Sequence, residues 1–158
     1  TREFMALAHS RLDDDGVLFA NIISAPSGPA SKFYRAEYKT MARVFPRVYS
    51  FPTRGGTVVQ NVVVVATKNE TLLPETELLA RNERREIGID LDGEIRTYSP
   101  PPRTGDVPLL TDDRAPVDAL LDPMVGQRYV LTVANETDEV RARVGAGGTA
   151  PAAGGAPG

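Results

Sequence analysis

The pattern of apolar and polar positions divides the chain into a strongly patterned first part and a weakly patterned remainder. Residues 14–24, DDGVLFANIIS, hold its most continuous apolar stretch, broken only by Asn21. A turn feeds that run, and a loop rich in Ser, Pro and Gly follows it. An uninterrupted apolar run of this length between turn signals predicts a strand over 17–23 buried on both faces, as in a parallel sheet.

Ahead of it, Phe4, Leu7, Ala8 and Leu12 fall at helical spacing, with Thr1 placed to cap the helix. Asp13-Asp14-Asp15-Gly16 ends that helix, because its carboxylates oppose the negative end of the helix dipole and the glycine permits a tight turn. After the strand, Ser31 is placed to cap a second helix. Its buried face is predicted from Tyr34, Tyr38, Met41 and Phe45, at i, i+4, i+7 and i+11. Pro46 ends this helix. A short strand is expected over 48–51, a turn over 52–57 containing Gly55-Gly56, and a strong strand over 58–67 with Gln60-Asn61 near its start. Strand, helix, strand, tight connection, strand is the order expected at the end of an α/β domain that closes with an antiparallel hairpin.

Beyond Lys68 the pattern weakens. Residues 69–71 read as a linker. A charged helix is expected from Pro74 to about Arg85, with Leu78 and Leu79 as its apolar contacts. Ile87, Leu91 and Ile95 predict another helix over 87–98, ended by Ser99-Pro100-Pro101-Pro102. Asp113 is a candidate cap, and Pro116 a first-turn residue, for a short helix through Leu121. Residues 130–134 fit a short strand or simple packing. The organisation is thus 1–68 as an α/β unit, 69–123 as a helical extension packing on it, 124–135 unassigned, and 136–158 as a disordered tail. Residues 145–158 are almost entirely Gly, Ala and Pro, which bury too little apolar surface to offset their ordering entropy. The chain opens at Thr1 as a helix begins, and we expect it to be part of a longer protein.

Composition narrows the chemistry. With 18 basic and 21 acidic residues the net charge is −3, which gives no footprint for nucleic acid. There is no cysteine, so disulfides, thiolate nucleophiles and cysteine-ligated metals are excluded within this sequence. The single histidine, His9, excludes multi-histidine metal sites and reads as structural or exposed. The triple Asp reads as a solvated turn, since adjacent side chains diverge and no calcium-loop ligands follow. Gly55-Gly56 and Gly147-Gly148 lack the strand and helix context of a phosphate loop. No apolar run approaches membrane-spanning length. In open α/β sheets ligands bind beyond the carboxyl ends of the parallel strands. Asn21, near such an end, therefore fits either a ligand contact or a structural role. Gln60 and Asn61 fit a site less well, since their strand is expected to be the antiparallel member of the hairpin and they can simply cap its edge.

Several segments in order resemble the polyamine aminopropyltransferases, the spermidine synthase family, in its divergent microbial form. They are Arg2-Glu3-Phe4, Leu12-Asp13-Asp14-Asp15-Gly16-Val17-Leu18, Val44-Phe45-Pro46-Arg47-Val48, Phe51-Pro52-Thr53 and Gln60-Asn61. Thr111-Asp112-Asp113-Arg114-Ala115-Pro116-Val117 resembles a C-terminal motif of the same group, so the resemblance spans roughly residues 1–123. It implies that residues 1–68 are the C-terminal half of a Rossmann-like, methyltransferase-type sheet. It also implies a parent that transfers an aminopropyl group from decarboxylated S-adenosylmethionine to an amine such as putrescine, in polyamine biosynthesis. In that reaction a carboxylate assists deprotonation of the amine and orients its attack on a sulfonium-activated carbon. The family's nucleoside loop, ribose-binding acid and catalytic aspartate would lie upstream of Thr1. No catalytic residue, bound cofactor or metal is therefore expected in this stretch, which alone should be inactive.

The resemblance leaves the amine side of the pocket, with Asn21, Arg54, Gln60, Asp112 and Asp113 as substrate-binding candidates. Here the chain departs from the family. Asn21 stands where a Gln followed by Gly-Glu is usual, and is followed by Ile22-Ile23-Ser24. Arg54 stands where a Tyr usually meets the amine, and its charge repels a diamine. Arg54 fits an anionic substrate group or an exposed turn, while Asp112 and Asp113 fit helix capping better than amine binding. The alternatives are an S-adenosylmethionine-dependent methyltransferase and a non-catalytic, degenerate module of a membrane protein. The family implies a cytoplasmic domain, common dimerisation through sheet edges or outer helices and, in many divergent members, a membrane-embedded N-terminal part. An isolated half-domain would expose the face meant for the missing strands, so aggregation or a molten state is expected.

Overall fold

The computed structural model describes residues 1–85 and 91–125. Helix α1 (Arg2–Arg11) starts where expected, with the Phe4 N–H donating to Thr1 Oγ1 at 3.4 Å. Its buried face is not the predicted one. Met5 is buried, whereas Phe4 and Leu7 are 55% and 57% exposed. The helix is rotated so that Met5 and His9 face inward, and the His9 ring packs edge-on against Phe45 at 5.2 Å. Gly16 is required by close approach rather than by an unusual φ. A Cβ there would lie 2.8 Å from Leu12 Cβ and 2.9 Å from the Asp13 carbonyl oxygen. Asp13, Asp14 and Asp15 are exposed, as a solvated turn requires.

Strands β1 (Val17–Ser24), β2 (Arg47–Pro52) and β3 (Gln60–Thr67) form a three-stranded sheet in the order β1-β3-β2. β3 runs antiparallel to both neighbours, so β1 and β2 are parallel to one another without touching. Across the sheet Phe19 stands opposite Val65, and Val65 opposite Tyr49. The β2–β3 hairpin agrees with the sequence pattern, but β3 begins at Gln60, and Val58 lies in the connecting turn, 60% exposed. The expectation of a doubly buried, parallel-paired β1 is corrected. Among the described residues β1 pairs antiparallel, to β3 alone, and buries one face. An apolar run encodes the capacity for burial on both faces, whereas the neighbours present decide how much of that capacity is used.

Helix α2 (Lys32–Ala42) crosses the buried face and carries the core as predicted. Tyr34, Tyr38 and Met41, with Phe45 just beyond its end, pack with Met5, Ile22, Val62, Val64 and Ala66. The two tyrosines also tie α2 to β2. Tyr34 Oη donates to Ser50 Oγ at 3.0 Å, and Tyr38 Oη donates to the Val48 carbonyl at 3.3 Å. Ser31 precedes α2 but makes no capping bond, because its own backbone is helical and its hydroxyl is engaged elsewhere.

Helix α3 (Glu75–Glu83) follows Pro74 and has no fully buried residue, in keeping with its charged sequence. The expected helix over 87–98 is reduced among the described residues to one turn, α4 (Asp92–Ile95). The chain then turns so that Tyr98 packs on Tyr49 and Phe51, and Ser99 pairs with Ser50. Satisfying that backbone pair and covering β2 stabilise the turn in place of continued helix. Helix α5 (Val117–Leu121) starts at Pro116, and a single 3-10 turn, Asp122–Met124, succeeds it. Asp113 does not cap α5. It sits in a tight turn whose ends, Thr111 and Arg114, exchange backbone hydrogen bonds.

The segment between α4 and α5 is fastened to the core by backbone and side-chain polar groups. The Arg2 N–H donates to the Leu110 carbonyl at 2.7 Å, and the Leu110 N–H donates to the buried Thr40 Oγ1 at 3.0 Å. Val107, Leu110 and Leu120 pack against Ala36 on α2. The readings for 130–134 and for the 136–158 tail lie outside the described residues. Among the described residues no helix is long and apolar enough to cross a membrane.

Candidate functional site

β1 and β2 end on the same side of the sheet, where β3 begins, so the β1–α2 loop and the β2–β3 turn meet there. The β1–α2 loop is held by its own polar groups. Ser24 Oγ donates to the Ala30 carbonyl at 2.8 Å, and Ser31 Oγ donates to the Gly28 carbonyl at 2.6 Å. Gly28 has φ of 76°, and a Cβ there would approach Thr57 Cγ2 to 3.2 Å, so both backbone and space require glycine. Ser27 Oγ donates to the Gly56 carbonyl at 2.9 Å, which ties this loop to the β2–β3 turn.

Against the same loop lies the proline-rich 99–106 segment, anchored by one side chain. Arg35 donates through Nη1 and Nη2 to both carboxylate oxygens of Asp106, through Nη1 to the Arg103 carbonyl at 3.1 Å, and through Nε to Ser31 Oγ at 2.9 Å. The Arg35 side chain is only 13% exposed, against 61% for Asp106. The hydrogen bonds from Arg35 hold the Asp106 carboxyl below its ordinary range, and Lys32 adds to the effect. Between loop and segment is a cleft of about 690 Å³, whose lining includes Pro26, Pro29, Lys32, Arg103 and Asp106. A more apolar cavity of about 870 Å³ lies between the other face of the sheet and α3–α4, lined by Tyr49, Phe51, Val65, Leu78, Leu91 and Ile95 among others.

The residues singled out from the sequence fall into three separate groups. Asn21 is exposed on the sheet face away from α2, and its Nδ2 donates to Asn61 Oδ1 at 3.4 Å. Gln60 is buried, and both ends of its amide bond to the adjacent turn. Its Oε1 accepts from the Arg54 N–H, and its Nε2 donates to the Val58 carbonyl at 3.0 Å. Arg54 itself is exposed on that turn. Asp112 lies at the start of α1, where it accepts from Thr1 Oγ1 and its N–H donates to Glu3 Oε2 at 3.0 Å. Glu3 is held below the ordinary carboxylate range by its own backbone N–H and that of Asp112. Asp113 is exposed. Gln60 and Arg54 are thus brought together, as are Asn21 and Asn61, while Asp112 lies apart from both pairs, on Thr1 and Glu3.

Sequence reasoning missed the groups that line the cleft, Lys32, Arg35, Arg103 and Asp106. Ser31 and Arg35 at i, i+4 are a local signal, but the partner Asp106 is 71 positions from Arg35 and no spacing rule reaches it. Other ionisable groups are displaced by burial. Glu37 on α2 is pushed up by burial, and Tyr38 is pushed up to about 12 by burial and then by Tyr34 and Tyr98. Among the described residues no group of His, Asp and Glu is arranged to hold a metal ion. No protein-family model, no curated protein and no solved structure matches this chain.

Proposed function

We propose that residues 1–68 are the C-terminal half of a Rossmann-like, methyltransferase-type domain in a spermidine synthase-like protein. In this reading the parent transfers an aminopropyl group from decarboxylated S-adenosylmethionine to an amine. The observation that carries the fold part is the strand order β1-β3-β2, with the last strand inserted antiparallel between two mutually parallel ones. An ordinary hairpin meander would instead put consecutive strands side by side. A second feature supports it. α1 and α2 pack on the same face of the sheet, sharing the core of Met5, Tyr34, Tyr38 and Met41. Helical crossovers between parallel strands are almost always right-handed. A strand entering through α1 would therefore lie on the side of β1 opposite to β2, which is its unpaired edge.

The chemistry rests on the resemblance in residues 1–123, and the donor-binding and catalytic residues belong to upstream strands. Asn21 and Arg54 are the departures that bear on the acceptor. The test is product analysis of the parent protein with each donor, decarboxylated S-adenosylmethionine and S-adenosylmethionine, and a panel of amines. Aminopropylated product is expected from the parent and none from the 158-residue chain alone. Methyl transfer alone would replace this reading with a methyltransferase, and no product from a folded parent would leave a non-catalytic module.

A further inference from the structure

We propose that the proline-walled cleft between the β1–α2 loop and the 99–106 segment binds a small dianion, a dicarboxylate or a phosphate, through Lys32 and Arg103. Both side chains line the cleft, and neither forms an ion pair among the described residues. The third cation, Arg35, is already neutralised by Asp106. Lys32 also acts on Asp106, so the lining keeps an excess of positive charge, Lys32, Arg35 and Arg103 against the one carboxylate of Asp106, in a chain whose net charge is −3. Such local charge against the overall sign attracts anions rather than polyamines.

The cleft is also built rather than accidental. Arg35 grips Asp106 and the Arg103 carbonyl while its Nε rests on Ser31 Oγ, so one side chain sets the distance between the two walls. Prolines on both walls, Pro26 and Pro29 opposite residues 100–102, restrict the backbone further. Preorganised walls lower the ordering cost of binding a small ligand. The volume of about 690 Å³ falls in the range of small-molecule sites. The Ser27–Gly56 bond ties the loop wall to the β2–β3 turn and holds it further. The proposal rests on this geometry and not on the transferase reading.

The test is a titration of the parent protein, followed by the backbone amide resonances of residues 1–125, with sodium phosphate, sodium succinate and putrescine at constant ionic strength and pH 7.5. Saturable shifts in residues 26–35 and 99–106 are expected with phosphate or succinate. The preference between the two identifies the anionic group. Lys32→Gln and Arg103→Gln should each weaken that binding about tenfold, as loss of one charge-assisted contact predicts. Both residues are exposed, so these variants should fold. Arg43→Gln, at the opposite end of α2, should leave binding unchanged. The proposal is overturned if neither anion saturates, if the cleft variants bind like the parent sequence, or if putrescine binds in preference. Absence of group transfer in the donor assay would leave this result untouched.

Discussion

On one face of the sheet Ile22, Val62, Val64 and Ala66 are buried beneath α1 and α2. On the other, Val17, Phe19 and Ile23 are 55%, 62% and 49% exposed. The two faces are drawn from the same strands and are similarly apolar. What differs is the cover. Over β2 the second face is closed, with Tyr98 packed on Tyr49 and Phe51 and the Leu73 N–H donating to Tyr49 Oη at 3.0 Å. Over β1 it is open. Apolar sequence is therefore a capacity for burial, and the elements that arrive to use it decide where the core lies. An uncharged, apolar edge strand is also a template for unwanted pairing.

Three substitutions or conditions break or sharpen this contrast. The largest effect is expected on the covered face. Met41→Ala removes a side chain that is 1% exposed, and should destabilise the fold by about 2–5 kcal/mol in denaturant unfolding. A loss below ~1 kcal/mol would mean that the face under α2 is not the stabilising core.

Next comes the alkaline response of the same face. Tyr38 titrates near 12 in the folded chain against an ordinary value of 10.0, so the folded state holds its proton more tightly than the unfolded state does. The stabilisation is fully present below pH 10 and is lost as pH rises toward 12. Thermal melts across that window should show stability falling, with a smaller fall in Tyr38→Phe. Identical pH profiles in the two proteins would refute the assignment.

The smallest effect is expected on the open face. Phe19→Thr removes an exposed ring from β1 while keeping β propensity, and should shift stability by no more than about 0.5 kcal/mol. It should at the same time reduce self-association, measured by sedimentation at increasing concentration. A destabilisation comparable to that of Met41→Ala would show that Phe19 is covered in solution and that the two faces are equivalent.

Much of the fold was legible where local signals agree. The α2 face of Tyr34, Tyr38 and Met41 follows from helical spacing, and the β2–β3 hairpin from the glycine turn between a short aromatic and apolar stretch and a valine-rich one. Legibility failed where the choice depended on distant partners. Phe4 and Leu7 have the spacing of a buried stripe, yet α1 buries Met5, because the space beneath it is set by α2 and Phe45. Gln60 fits a hairpin edge from its position, but only the structure shows its amide bonded to the adjacent turn. The cleft was the least legible feature, since Arg35 meets Asp106 across 71 positions.

By itself the sequence determined the element types of the first 67 residues, the absence of cysteine chemistry, and which strands could be buried. These depend on spacing, side-chain shape and composition, all local properties. Only the tertiary structure decided that β3 inserts between β1 and β2, that one face of β1 stays open, and that Lys32 and Arg103 share a cleft. Those outcomes depend on which surfaces meet, and burial and ion pairing reward proximity in space without regard to separation along the chain.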